Sequence, residues 1–189
     1  WSDYDGDDIY GDYRVSGTGV ATNLRSFEPG MGRVDPFASA GQTNTRYYHT
    51  DLIGTTRGVS TATTGTAEAQ VYTAFGEKIN VPTGTGFPAR RYGYAGAWGY
   101  QSATTTLATG DSYANSFPYL HVGARYYDTS TGRFLQRDPA GYSDGMTTYG
   151  YMRGNPSRTT DPSGLSILHV DFSDPTRITV RAKIAFCFA

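Results

Sequence analysis

The sequence predicts a mostly β protein built from antiparallel hairpins, and three observations carry that expectation. Its 189 residues include 24 Gly and 9 Pro, well above the joint share of roughly 12% usual in soluble domains, and neither residue suits a helix interior. The 16 Tyr, set among many Thr and Val, favour pleated strands. Apolar and aromatic positions also recur at period two between Gly-, Asp- and Thr-rich breaks, the pattern of short strands joined by tight turns.

Residues 1–45 are acidic and Gly-punctuated, "WSDYDGDDIYGDYRVSGTG" and "SFEPGMGRVDPFASAGQTN", which reads as short strands and loops. In the next stretch, "IGTTRGVST" and "AEAQVYTAFGEKI" flank a turn at "TTGT" and form a hairpin. Tyr47, Tyr48, Tyr72 and Phe75 are the aromatic fillers it would bury. "RRYGYAGAWGYQS" alternates small and aromatic residues at Tyr92, Tyr94, Trp98 and Tyr100, again at strand spacing. The small, polar run around 105–116 predicts a surface loop. "YLHVGARYYDTSTGRFLQRDP" gives a strand, a turn at "DTSTG" and a second strand through Arg133, Phe134 and Leu135. The one short helix to expect is in "TTYGYMRG" after Met146.

Several function classes fall away on composition. Lys plus Arg (16) nearly balances Asp plus Glu (17), for a net charge of −1, so nothing points to nucleic acid or to an anionic membrane surface. The lone Cys187 and three His supply no Cys/His metal spacing and no internal disulfide. No apolar run reaches the roughly 18 residues a membrane span requires. The chain opens at Trp1, with neither Met nor a leader, and we expect a processed product or a piece of a larger polypeptide.

One phrase stands out. Asp-Pro-x-Gly is written at Asp138 and again at Asp161, the second followed by Leu165. Asp, Pro and Gly are turn residues, each for its own reason, and two similar turns account for the repeat without chemistry. The alternative is a carboxylate pair: two close carboxyls cannot both ionise cheaply, so one stays protonated as an acid while the other polarises a water as a base. A nearby guanidinium would hold one of them ionised.

The stretches "YYHTDLIGTTRGV", "VYTAFGE", "RYGYAGAWGYQ", "HVGARYYDTSTGRFLQRDPAGY" and "YGYMRGNPSRTTDPSGL" resemble the Rhs, or YD-repeat, proteins, specifically their Rhs-associated core domain. The likeness runs from Arg46 to Leu165 and divides the chain into an N-terminal stretch (1–45), a core (46–165) and a C-terminal strand tail (166–189). It implies YD-repeat hairpins forming a curved sheet or part of a hollow β-shell, in a secreted or cell-surface protein of bacterial type. Similar sequences in polymorphic toxins and toxin-complex C subunits act as intramolecular aspartyl proteases, cutting once in cis after the core so that a C-terminal toxin lies free inside the shell. Carried over residue by residue, the resemblance assigns the catalytic carboxylates to Asp138 and Asp161, the supporting cation to Arg137, and the scissile bond to Leu165 and Ser166. It implies no cofactor, and as partners other parts of a shell or copies of the chain itself.

Weaker constellations remain. Asp3, Asp5, Asp7 and Asp8 are hard oxygen ligands that suggest calcium, but the sixth position counted from Asp3 is Asp8 rather than Gly and the twelfth is Arg14 rather than Glu. His49 and His121 are candidate bases, though histidines in such strands are more often satisfied structural ones. Ser166 is a candidate for an acyl shift onto its own preceding carbonyl. Residues 166–189 are too few for a toxin domain. Their end, "RITVRAKIAFCFA", sets Ile178, Val180, Ile184, Phe186 and Phe188 on one face at period two. An apolar strand of that kind also fits a non-catalytic subunit of a surface filament, joined to a second copy by strand augmentation.

Overall fold

The computed structural model describes residues 2–5, 8–34, 45–62, 66–79, 91–102, 117–142, 147–171 and 179–182. Its first sheet is a seven-stranded meander: β1 (Ser2–Asp5), β2 (Asp8–Val15), β3 (Ala21–Glu28), β4 (Gly32–Val34), β5 (Thr45–Thr50), β6 (Thr56–Thr61) and β7 (Thr66–Ala69). Each strand pairs antiparallel with the next. A small hairpin comes next, β8 (Val71–Tyr72) with β9 (Lys78–Ile79). A second meander joins β10 (Gln101–Ser102), β11 (Leu120–Val122), β12 (Arg125–Asp128) and β13 (Arg133–Phe134). The last sheet is β14 (Thr159–Thr160), β15 (Leu168–Asp171) and β16 (Thr179–Ala182), also antiparallel. The mostly β, antiparallel expectation holds, and the described residues include no α-helix. Ladder hydrogen bonds cross both sequence divisions: β4 pairs with β5 across 45/46, and β14 with β15 across 165/166.

Local readings change where the backbone curls. "RRYGYAGAWGYQS" is not one strand. Gly96–Trp98 forms a 3-10 turn behind Ala95, which has a left-handed φ of 47°, because Gly93, Ala95 and Gly96 accept consecutive three-residue hydrogen bonds from Gly96, Trp98 and Gly99. The aromatics still point inward, since Tyr92 and Tyr100 are wholly buried. "AEAQVYTAFGEKI" likewise breaks at Gln70 and again at a turn in which the Thr73 N–H donates to the Glu77 carbonyl at 2.8 Å. The short helix expected near Met146 is a single 3-10 turn at Met152–Gly154. Of the predicted fillers, Tyr48 is buried and Tyr72 half-buried, whereas Tyr47 and Phe75 are exposed. The 105–116 loop and Ile178, Ile184, Phe186 and Phe188 lie outside the described residues. Val180 is in β16, opposite Val170 of β15 in the same chain.

Two apolar clusters hold the described strands. Phe27, Tyr48, Val59 and Tyr92 form one. Tyr94, Tyr100, Val122, Tyr127, Phe134, Tyr151 and Met152 are in the other. The second is an aromatic stack, with Tyr127 and Tyr151 rings 3.9 Å apart and tilted by 27°. Its phenols also tie down the hairpin turn beside it: Tyr94 donates to the Ala74 carbonyl at 2.8 Å and Tyr127 to the Phe75 carbonyl at 2.7 Å. That is why Tyr rather than Phe serves here, since each hydroxyl satisfies a turn carbonyl.

The turn joining β11 to β12 interlocks with the turn after β14. Gly123 (φ 49°) and Gly164 (φ 65°) are both left-handed. A Cβ on Gly123 would overlap the Ser163 carbonyl oxygen, and one on Gly164 would overlap the Val122 carbonyl oxygen. The Ala124 N–H donates to Ser163 O at 2.9 Å between them. Gly123→Ala is therefore expected to cost about 2 kcal/mol or more, combining the left-handed penalty with a backbone clash. Gly17→Ala, with open space around it, should stay within about 0.5 kcal/mol of the parent. Urea unfolding midpoints of the two variants compare these outcomes directly.

Candidate functional site

The site begins with the alternation of β12. Arg125 and Tyr127 face inward while Tyr126 faces out, so the strand carries a guanidinium into an aromatic core. A buried cation at such a position requires anionic partners. It has two. Arg125 Nη1 lies 3.1 Å from Asp138 Oδ2, and Nη2 lies 3.0 Å from Asp161 Oδ2. All three side chains are nearly inaccessible, at 3% exposure for Arg125, 8% for Asp138 and 2% for Asp161. The Arg125 guanidinium carbon also sits 3.6 Å above the Phe134 ring centroid, and this cation–π contact fixes its height.

The two Asp-Pro-x-Gly phrases fold as two versions of one turn. Gly141 N–H donates to the Asp138 carbonyl at 3.0 Å, and Gly164 N–H to the Asp161 carbonyl at 3.2 Å. Both glycines are left-handed, with φ of 73° and 65°. The turn reading and the carboxylate reading of the repeat are thus compatible: each turn aims its Asp at the same guanidinium. The carboxylates differ in what else they hold. Asp138 Oδ1 accepts the Ala140 N–H at 2.8 Å within its own turn. Asp161 Oδ1 accepts the N–H groups of Leu165 and Ser166, both at 3.0 Å, with the Ser163 hydroxyl at 3.2 Å. The Ser166 N–H belongs to the Leu165–Ser166 peptide bond, so one carboxylate oxygen touches the nitrogen of the bond that the family resemblance marks as scissile.

Burial pushes the Asp161 carboxyl above its ordinary range, and the Ser166 N–H, the Arg125 charge, the Ser163 hydroxyl and the Leu165 N–H pull the other way without cancelling it. Arg125, Asp138 and Asp161 share one pocket wall with Phe75, Tyr149 and Met152.

Asp161 touches the N–H groups of Leu165 and Ser166, and Arg125 links it to Asp138; the guanidinium of the cluster is not the expected one. Arg137 is exposed, because it precedes Asp138 on the outer side of the chain, and the guanidinium between the carboxylates is Arg125. The available signal was an Arg between Val122 and Tyr127 at an inward strand position. Tyr100 is a second residue the sequence did not mark: its hydroxyl accepts the Asp161 N–H at 3.0 Å. His49 is exposed and meets Ser60 Oγ at 2.7 Å, and the His121 ring packs on Tyr126; neither is in the Arg125 cluster. Asp3 and Asp5 lie in β1 and Asp8 in β2, and Asp7 is outside the described residues. Among the described residues no group of three or more His, Cys, Asp or Glu side chains is placed to hold a metal ion.

No family model matches the chain. Toxin subunit YenC2 of Yersinia entomophaga is 35% identical over 98 residues, 48% of this chain and 10% of that protein. Double-stranded DNA deaminase toxin A of Burkholderia cenocepacia is 31% identical over 121 residues, 64% of this chain and 8% of the toxin. The crystal structure of TcdB2-TccC3-Cdc42 matches 79% of this chain and 7% of its own, with a TM-score of 0.54 and 24% identity. That likeness shows a common fold. The chain spans a tenth or less of the length of each of these proteins.

Two outcomes are expected for the cluster. Arg125→Met leaves two carboxylates buried without their cation and should cost about 3–5 kcal/mol in urea unfolding. The raised Asp161 carboxyl sets a pH slope. A carboxyl whose folded value is raised contributes stability fully below the ordinary Asp value of about 3.9, and loses it as pH rises through the folded value. The stability difference between the parent and Asp161→Asn should accordingly fall as pH rises above about 4, as read from unfolding midpoints across pH.

Proposed function

We propose that this chain, a homologue of the toxin-complex C subunits and so of the Rhs, or YD-repeat, family, forms part of a β-shell and cuts its own backbone once between Leu165 and Ser166. The observation that carries this reading is the 3.0 Å hydrogen bond from the Ser166 N–H to Asp161 Oδ1, on a carboxyl whose other oxygen is paired with buried Arg125. Peptide hydrolysis must deliver a proton to the leaving nitrogen. Asp161 Oδ1 already lies beside that nitrogen, accepting its N–H before the reaction. Burial favours the protonated form that would hand a proton to the nitrogen lone pair once the amide becomes tetrahedral.

In this scheme Asp138 takes the proton from a water that attacks the Leu165 carbonyl carbon. The resulting tetrahedral centre collapses as the C–N bond breaks, and Asp161 protonates the Ser166 nitrogen. The products are a Leu165 carboxylate and a Ser166 amine. Arg125 keeps the two carboxyls apart and neutralises the charge they share.

The work of the shell would be to enclose the C-terminal segment released by the cut, in a secreted bacterial protein whose partners are other shell parts. The pairing of β16 with β15 of the same chain favours this over augmentation between copies, because it gives the Val180 strand a partner at home.

Asp138→Asn and Asp161→Asn should each leave the chain whole, since Asn keeps the shape and loses the proton chemistry. Arg137→Ala should cut like the parent. Intact mass of the purified proteins reads all three. An Asn variant that still splits after Leu165, or a parent that stays whole, would sink the aspartyl mechanism.

A further inference from the structure

The two Asp-Pro-x-Gly turns differ in what anchors the Asp backbone. The Asp138 N–H donates to a main-chain carbonyl, Thr148 O, at 2.8 Å. The Asp161 N–H instead donates to a side chain 61 residues away, the Tyr100 hydroxyl, at 3.0 Å. Resting on the self-cleavage reading, we propose that Tyr100 is a positioning residue, whose hydroxyl holds the Asp161 backbone so that Oδ1 points at the Leu165 and Ser166 N–H groups.

Three features support the assignment. Tyr100 is wholly buried, and its ring is held edge-on by Tyr94 and Tyr151, with centroids 6.2 and 6.4 Å away, so the hydroxyl has little freedom. The Tyr151 hydroxyl lies 3.3 Å from it, a second buried oxygen that fixes its direction. The turn itself cannot take over, because its own hydrogen bond uses the Asp161 carbonyl and leaves the N–H to find a partner outside. A Phe would fill the aromatic core equally well. What the phenol oxygen adds is a fixed point for the residue that touches the peptide nitrogen, and small displacements of such a group are costly, about a hundredfold per ångström in rate.

The test compares the parent, Tyr100→Phe and Tyr127→Phe, made by cell-free synthesis and sampled over time by mass spectrometry. Tyr127 donates to Phe75 O, away from Asp161 and the Tyr100 hydroxyl, and its variant should cut at the parental rate. Tyr100→Phe should be slower by at least about tenfold. A second readout does not depend on cleavage: the Asp161 carboxyl carbon is titrated by NMR in chains kept whole by Asp138→Asn. Without its anchor the carboxyl turns from the Leu165 and Ser166 N–H groups, which favour its ionised form, so its midpoint should rise while Arg125 stays in place. Parental cleavage by Tyr100→Phe, or an unmoved midpoint, overturns the proposal. A parent that does not cut defeats the self-cleavage reading, and the titration then decides for Tyr100 alone. If Tyr100→Phe does not fold, a fluorinated tyrosine at 100, a weaker acceptor of the same shape, is expected to give the same signs with smaller changes.

Discussion

A single buried guanidinium organises this part of the molecule. Arg125 enters an aromatic core from β12, and its charge is tolerable there only because two turns bring Asp138 and Asp161 to its two outer nitrogens. Each turn is local in sequence, but their meeting is not: 36 residues separate Arg125 from Asp161. The interlocked glycines at 123 and 164, the 2.9 Å bond between Ala124 N and Ser163 O and the stacked Phe134 ring all serve that encounter. Loss of the cation would leave a core with two carboxyls lacking their cation, so the fold here and the self-cleavage proposed for it would rest on the same contact.

The tyrosines take a second, complementary part. In most cores an aromatic ring contributes area alone, but here several phenol oxygens reach backbone groups in turns. Tyr94 and Tyr127 hold the Ala74 and Phe75 carbonyls, and Tyr100 holds the Asp161 N–H. A short-stranded protein with many turns has many main-chain groups outside its ladders, and each one buried without a partner costs free energy. A Tyr-rich composition answers that demand while supplying apolar area. It also explains how the turn carrying Asp161 is anchored without a helix or long strand beside it.

Much of this was legible in the sequence, and the failures have physical causes. Gly, Pro and Tyr content and period-two alternation pointed to antiparallel strands because those signals are local. Asp138 and Asp161 were legible because the repeated turn phrase is local too. Arg125 was not, since an inward Arg on a strand looks like an outward one until the register is known, and Arg137 beside Asp138 offered the nearer cation. "RRYGYAGAWGYQS" misled for a related reason: alternation of small and aromatic residues suits a strand, but Gly93, Gly96 and Gly99 allow the backbone to curl into a 3-10 turn while the rings still point inward. Tyr100 was legible only as an aromatic of the core, and the role of its hydroxyl was not, because its partner is a backbone N–H.

The claim that one guanidinium joins the two turns is tested most directly by a double-mutant cycle on unfolding free energy, with Arg125→Met, Asp161→Asn and the pair combined. A coupling energy of about 2 kcal/mol or more is expected, because Asp138 loses its cation in both Arg125 variants and cancels in the cycle, leaving the Arg125–Asp161 contact as the difference. A coupling near zero would mean that Arg125 and Asp161 act independently, and would contradict the account.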